Sequence, residues 1–417
     1  MTRQLEMEGW TQQKIWTCFD IVNGATPASG IAHFWDGDIS WIGPADIGRL
    51  SSREIYRGER NLTLSGYKSC GTTLVPQGTI ILSTRAPIGH VAVAGKELCF
   101  NQGCKGLRLK PGMEQSFAYW LILSLKVRLE ASGQGTTFVE LSRSKLKDIA
   151  FLLPPPAEQR AIAAFLDEKC AKIDEAVRIK EEQIKLLRER RQILIQQAVT
   201  RGLNPNAPMK DSGIDWIGQI PAHWEVRRNF ALFRETKNSG NADLPVLSVS
   251  IHSGVSKEEL SEEENIRSIV KIDDRSSYKE VLPGDIAYNM MRAWQGGIGA
   301  VYTHGMVSPA YVVARPSDTM IGEYFELLYR TPAFVRQMDA NSKGITDFRK
   351  RLYWNDFRNL LTLVPPEPEQ RHIIGYSDQV TKKVSTAIAI KQDQIAALKE
   401  YKTSLINAAV TGKIKVI

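Results

Sequence analysis

Asp393, Glu400 and Lys402 are the sequence's nearest approach to a catalytic set, two carboxylates and a lysine of the kind that metal-dependent nucleases use. They fall in a stretch with heptad patterning, where a solvated helix face accounts for them. Cys99 and Cys104 lack a second ligand pair at zinc spacing, and no CxxC occurs anywhere, so no metal site is expected. The six histidines are scattered, without a local partner for nucleophilic catalysis. Gly133, Gln134 and Gly135 do not make a GxGxxG loop, the cluster Gly296, Gly297, Gly299 is too irregular, and Gly412-Lys413 has no upstream glycine for a phosphate loop. The Asn-Pro-Pro-aromatic motif of adenine methyltransferases is also missing, since Asn204-Pro205-Asn206 reads as linker. These failures point to a chain without chemistry of its own.

The elements that would position a site are easier to read. At 417 residues, with 43% apolar and 24% charged residues, the chain is long enough for more than one core and ordinary in composition. No apolar run approaches a membrane span, and the start lacks the layout of a secretory signal, so a cytoplasmic protein is expected. Five widely spaced cysteines suit reduced thiols better than a disulfide framework. The net charge of +8 suits a polyanion, but no segment is a strongly basic tail, so contacts must come from local clusters.

A repeat organises the chain. From Glu158 to Thr200 the sequence matches the stretch from Glu369 to Thr411 without a gap, at 18 of 43 positions. Each copy follows a proline cluster, and the first has no Gly or Pro from Ala157 to Val199, which predicts a helix of roughly 65 Å. Leu166, Ile173, Val177, Ile184, Leu187 and Leu194 in the first copy, and Val384, Ile388, Ile395, Leu398 and Leu405 in the second, recur with a period near seven and predict a coiled-coil seam. Lys180, Arg191, Lys391 and Lys402 interrupt the seam, either to set register against acidic residues or simply to snorkel. The segments before the helices resemble each other faintly: Trp10, Trp16 and Phe19 match Trp224, Phe230 and Phe233, while Pro76, Gly78, Ile80 and Arg85 echo Pro283, Gly284, Ile286 and Arg292. Both read as short β-branched runs and turns followed by a helical stretch. The expected fold class is α+β, with a mixed domain over residues 1–153, a long helix over 154–203, a linker and second mixed domain over 204–364, and a second long helix over 365–417.

Two variable domains, each followed by a copy of one long helix opened by Pro155, Glu158, Gln159 and Arg160 or by Pro366, Glu369, Gln370 and Arg371, resemble the specificity subunit of a type I restriction-modification complex. The stretch SGIDWIGQIPAHWEV and the helix ends QQAVTRG and NAAVTGK carry the same resemblance, which covers essentially the whole chain. It implies two pseudo-symmetric target-recognition domains, each reading half of a bipartite, interrupted site on double-stranded DNA, and two helices paired as an antiparallel coiled coil. Two methyltransferase subunits would dock on those helices and motor-nuclease subunits would complete the restriction enzyme. S-adenosylmethionine, Mg²⁺ and ATP would then belong to the partners, with no cofactor in this chain. Because the two halves differ at most surface positions, an asymmetric target is expected, with its gap set by helix length.

Under that reading, base contacts need Arg, Lys, Asn or Gln on loops that reach groove edges. Candidates are Arg85, Asn101, Gln102, Gln134, Thr136 and Thr137 in the first domain, and Arg292, Trp294 and Gln295 in the second, where Trp294 would stack or wedge or else belong to the core. Lys105, Lys145, Arg349, Lys350 and Arg351 are the phosphate candidates. The acidic run from Glu258 to Glu264 should point away from DNA. Glu158, Gln159, Arg160, Glu369, Gln370 and Arg371 are either partner-docking residues or helix-start signals that complement the dipole. Two other function classes compete: an assembly scaffold that does not read DNA, and a free-standing enzyme whose cofactor pocket the sequence does not display.

Overall fold

The β-branched run that ends at Ser83 forms a strand buried on both faces, and the sheet of the first half is built round it. In chain order, after a separate strand β1 (Thr11–Lys14), its members are β2 (Phe19–Asn23), β3 (Glu54–Ile55), β4 (Ile80–Ser83), β5 (Val91–Ala94) and β6 (Cys104–Leu109). Strands β2, β6, β4, β5 and β3 make one sheet in that spatial order, antiparallel except where β3 meets β5. Helix α1 (Gln115–Ser124) covers it with Phe117, Leu121 and Ile122, and β1 pairs with β7 (Ala150–Leu153), the strand that leads into the first long helix, α2 (Pro156–Arg201). This computed structural model describes residues 9–416 apart from 86, 135–138, 242, 260–276 and 345–349.

The second half repeats the plan. Strand β8 (Glu225–Arg228) precedes a sheet of β9 (Phe233–Thr236), β10 (Ile286–Asn289), β11 (Ile298–Ala300) and β12 (Tyr311–Pro316), ordered β9-β12-β10-β11 and antiparallel throughout. Helices α3 (Gly322–Tyr329) and α4 (Pro332–Ala340) follow, then β13 (Leu361–Val364), which pairs with β8 and leads into α5 (Glu367–Val410). The order of strands in this sheet matches β2-β6-β4-β5 of the first half.

Each long helix starts beside a proline with a carboxylate in its first turn, where the backbone N–H groups lack partners. Each is followed by a left-handed glycine, Gly202 at φ +73° and Gly412 at φ +70°, a conformation that caps a helix end and that other residues rarely adopt. The chain divides into two compact units, residues 1–181 with 393–417, and residues 182–392. Within the first, the start of α2 and the end of α5 pack against the sheet-covering helix through Ile162, Leu166, Cys170, Leu405, Ile406 and Ala409. Their direction is antiparallel, because Asp174 meets Lys402 and Lys180 meets Gln394. Within the second, Ala198 and Val199 share a core with Ile373, Tyr324, Phe325 and Leu328.

The seam residues follow the heptad reading. Leu166, Ile173, Val177, Ile184, Val384, Ile395 and Leu405 are buried, and Leu187, Leu194, Ile388 and Leu398 are half-buried. Lys402 Nζ lies 2.7 Å from both oxygens of Asp174, so this seam cation pins register rather than snorkelling free. Lys180 donates to Gln394 Oε1 at 2.8 Å. All five cysteines are free thiols. No described helix is long and apolar enough to cross a membrane, and no metal-ligating cluster occurs among the described residues.

Candidate nucleic-acid interface

In the first unit, three loops meet at the end of β4. The amide of Thr84 donates to the Gly103 carbonyl and Leu141 N–H donates to the Thr84 carbonyl, both at 2.8 Å. Gln134 and Glu140 exchange two backbone bonds of 3.0 Å. These bonds bring Arg85, Asn101, Gln102, Lys105, Gln134 and Glu140 together from segments far apart in sequence. Arg85 Nε donates to Glu140 Oε2 at 3.1 Å. Asn101 Oδ1 accepts from Gly103 N–H at 2.9 Å, and Gln102 Oε1 accepts from the Thr26 hydroxyl, so both amides are held by local bonds. A Cβ on Gly103 would come within 3.1 Å of Pro44 and 3.2 Å of Asn101 Oδ1, so a side chain there would need these neighbours to give by a few tenths of an ångström.

Lys105 corrects the sequence reading. Its side chain points into the sheet, only 7% of the residue is exposed, and Nζ donates to the Gln102 carbonyl at 3.4 Å, out of reach of a phosphate. Burial pushes its ammonium below the ordinary lysine value, while Glu140 acts in the opposite direction. Lys145 is exposed on the short helix Arg143–Lys147, in a position open to a phosphate. Thr136 and Thr137 lie outside the described residues.

The second unit builds the corresponding place with other side chains. Leu352 N–H donates to the Met290 carbonyl at 2.9 Å, as Leu141 does to Thr84, and Lys343 and Arg351 exchange two backbone bonds of 2.9 Å. The loop after β10 closes on itself through Asn289 N–H to the Gly297 carbonyl and Gly297 N–H to the Arg292 carbonyl. On it, exposed Arg292 donates to Gln295 Oε1 at 2.8 Å. Trp294 is half-buried, with its indole N–H on the Met291 carbonyl, so it belongs to the loop and not to the core. Lys350 Nζ stands 5.3 Å from the centre of the Trp294 ring and 2.7 Å from Asp339 Oδ1. Arg351 is exposed; Arg349 and most of the acidic run lie outside the described residues.

The repeated Glu-Gln-Arg at each helix start does three different things. Glu158 accepts from the Trp10 indole at 2.9 Å, and Glu369 accepts from the Trp224 indole at 3.0 Å and pairs with His223 at 2.8 Å. Gln159 is fully buried, accepting from Glu114 N–H at 2.8 Å and donating to the carbonyls of Gly112 and Pro154 at 2.9 Å. Gln370 is fully buried too, accepting from Ile321 N–H and donating to the Thr319 and Pro365 carbonyls. Glu114 and Ile321 are the residues that precede α1 and α3, so each glutamine latches a domain helix to a long helix. That burial removes Gln159 and Gln370 from the partner-docking candidates. Arg160 is exposed, and exposed Arg371 pairs with Glu367 at 2.7 Å.

Sequence reasoning missed Glu140 and the two glutamine latches. A signal existed: the offset of 211 that relates the helices also relates Leu141 to Leu352 and Glu140 to Arg351, upstream of the prolines where the repeat was first read.

Comparison with known proteins agrees with this architecture. The model of the type I restriction modification DNA specificity domain matches residues 7–186. The type I restriction enzyme MjaIX specificity subunit of Methanocaldococcus jannaschii is 26% identical, with 98% of this chain and 94% of that protein aligned. A chain from a structural study of complex assembly and conformational transition of the type I R-M system superposes with a TM-score of 0.68 at 17% identity, covering 98% of this chain and 99% of that one. The HsdS subunit from Thermoanaerobacter tengcongensis superposes with a TM-score of 0.53 at 16% identity, covering 98% of both chains. Residues 7–186 thus match a type I restriction modification DNA specificity domain, and along nearly its whole length the chain is similar to a type I restriction enzyme specificity subunit and shares the fold of an HsdS subunit.

Proposed function

We propose that this chain reads a bipartite, asymmetric DNA site, one half-site with each unit, and directs a methyltransferase and a motor nuclease to it. The observation that carries this reading is the pair of topologically equivalent loop clusters with unlike chemistry. The first presents Arg85 beside Glu140, with Gln134; the second presents Arg292, Gln295, Trp294 and Arg351. Arginine and amide side chains on pinned loops suit base edges, and the difference between the clusters calls for two different half-sites. Arg85→Ala or Arg292→Ala should relax one half-site and cost about 1–3 kcal/mol where the arginine pairs with guanine.

The long helices would hold two methyltransferase subunits, on which motor-nuclease subunits assemble. Exposed Leu186, Ile193 and Ile390 in the second unit give these helices apolar surface for a partner, alongside Arg160. S-adenosylmethionine, Mg²⁺ and ATP would act in those partners, and this chain would contribute recognition alone. The test is base-modification sequencing of cells carrying this gene with its methyltransferase gene, against cells lacking only this gene. Loss of methylation at one asymmetric, gapped motif supports the reading. A palindromic motif refutes its asymmetry, and an unchanged methylation pattern with the methyltransferase expressed favours the assembly scaffold.

A further inference from the structure

An arginine on a loop samples many rotamers, and reading guanine needs its planar fork held so that two terminal N–H donors face the O6 and N7 edge. The backbone of Arg85 is already fixed, since Thr84 beside it is pinned by both its N–H and its carbonyl and Arg85 forms a bridge with Glu140. What remains is the side chain, and Glu140 Oε2 takes its Nε at 3.1 Å. Among the described residues neither terminal nitrogen of Arg85 has a hydrogen-bond partner, and the two side chains are only part-exposed, at 44% and 37%. A carboxylate facing DNA would ordinarily repel phosphate. Here Arg85 pairs with it at 3.1 Å, and Lys105 stands close enough to feel its charge together with those of Arg85 and Arg143. At the position of Glu140, the repeat places Arg351 in the second unit, and Arg292 there engages Gln295 instead.

We infer that Glu140 is a positioning residue for base readout in the first unit: it holds Arg85 by Nε so that both terminal nitrogens face a guanine edge in one half-site. This rests on the reading of the first unit as a DNA-recognition domain. Glu140 acts through Arg85 and does not itself touch the base.

The test assembles the full chain with its methyltransferase subunit, selects from a randomised duplex DNA library and sequences the bound pool, for wild type, R85A, E140A, E140Q and R85A/E140A. R85A and E140A should flatten the preference at the same base pair of the same half-site, with discrimination there falling about tenfold or more. The double variant should be no worse than R85A alone, because one residue acts through the other. E140Q, which keeps an acceptor for Nε, should retain most of the preference. The other half-site and the melting temperature of the assembly should not move, which a merely structural role would not allow. The inference is overturned if E140A leaves the preference intact, if it changes a different base pair from R85A, or if both half-sites weaken together. A wild-type pool with no motif at all is a separate failure, since it overturns the recognition reading on which the inference stands.

Discussion

Replacing Gln159 by Leu should unlatch the first unit while leaving the second intact. The side chain is fully buried and makes three hydrogen bonds, to Glu114 N–H and to the carbonyls of Gly112 and Pro154. Leucine fills similar space but returns none of them, so one donor and two acceptors are stranded in the interior. A stranded donor costs about 1–3 kcal/mol, and the two carbonyls bring the total to about 3–5 kcal/mol. The damage should spread along α1, because the next polar group of Glu114, its carboxylate, accepts from Phe117 N–H at 2.7 Å and caps that helix. Hydrogen exchange read by mass spectrometry on the full chain measures this locally. Amides from residue 112 through α1 should lose about 3–5 kcal/mol of protection in Gln159→Leu, with α3 unchanged, and Gln370→Leu should do the converse around Ile321. Protection falling by less than about 1 kcal/mol, or equally in both units from either substitution, would refute the latch.

Three further outcomes follow from single groups. Thiol reagents at neutral pH should label Cys70 first, because burial pushes Cys99 and Cys104 up to about 12 and Cys170 up to about 11, and peptide mass mapping gives the order. Burial also raises the Glu326 carboxyl above its ordinary value of 4.5, against the pull of Ala300 N–H, Arg330 and Tyr302. Its protonated form is therefore the better tolerated in the fold, so the stability linked to it is full below 4.5 and lost as pH rises through the folded value; Glu326→Gln should flatten that slope in denaturation curves. Lys402→Asp should destabilise by about 1 kcal/mol or less, since Asp174 is largely exposed, and the exchange Lys402→Asp with Asp174→Lys should restore the loss; equal melting of single and double variants would show that the pair does not set register.

What could be read beforehand follows from the range of each interaction. Heptads are local, so the period of seven gave the seam residues and the burial of Leu166 or Ile184 is the direct consequence. The glutamine of Glu-Gln-Arg looked like part of a helix start because its partners, Gly112 and Glu114, lie some 45 residues upstream. Arg85 was legible by type alone; its partner Glu140 was not, being joined to it through a loop closure that no spacing announces. Lys105 misled for a different reason. In CKGLRL side chains alternate across the strand, so the lysine shares its face with Leu107 and Leu109 and not with exposed Arg108, and its charge ends on the Gln102 carbonyl.

The same contrast explains how one scaffold can carry two unlike loop clusters. The loops that carry Arg85 and Gln134, and those that carry Arg292 and Arg351, are pinned by backbone bonds: Leu141 to Thr84 and Gln134 to Glu140 in one unit, Leu352 to Met290 and Lys343 to Arg351 in the other. A backbone bond does not depend on the side chain attached to it, so the paired positions can carry glutamine and glutamate in one unit and lysine and arginine in the other without altering the pin. The latches are the opposite case, since Gln159 and Gln370 work through their side-chain amides and the same residue stands in both copies. Variation is thus free where the loops meet solvent and restricted where the domain meets its helix. A scaffold divided in this way can change the chemistry its loops present by substitution at a handful of positions while the folding of the unit stays almost untouched.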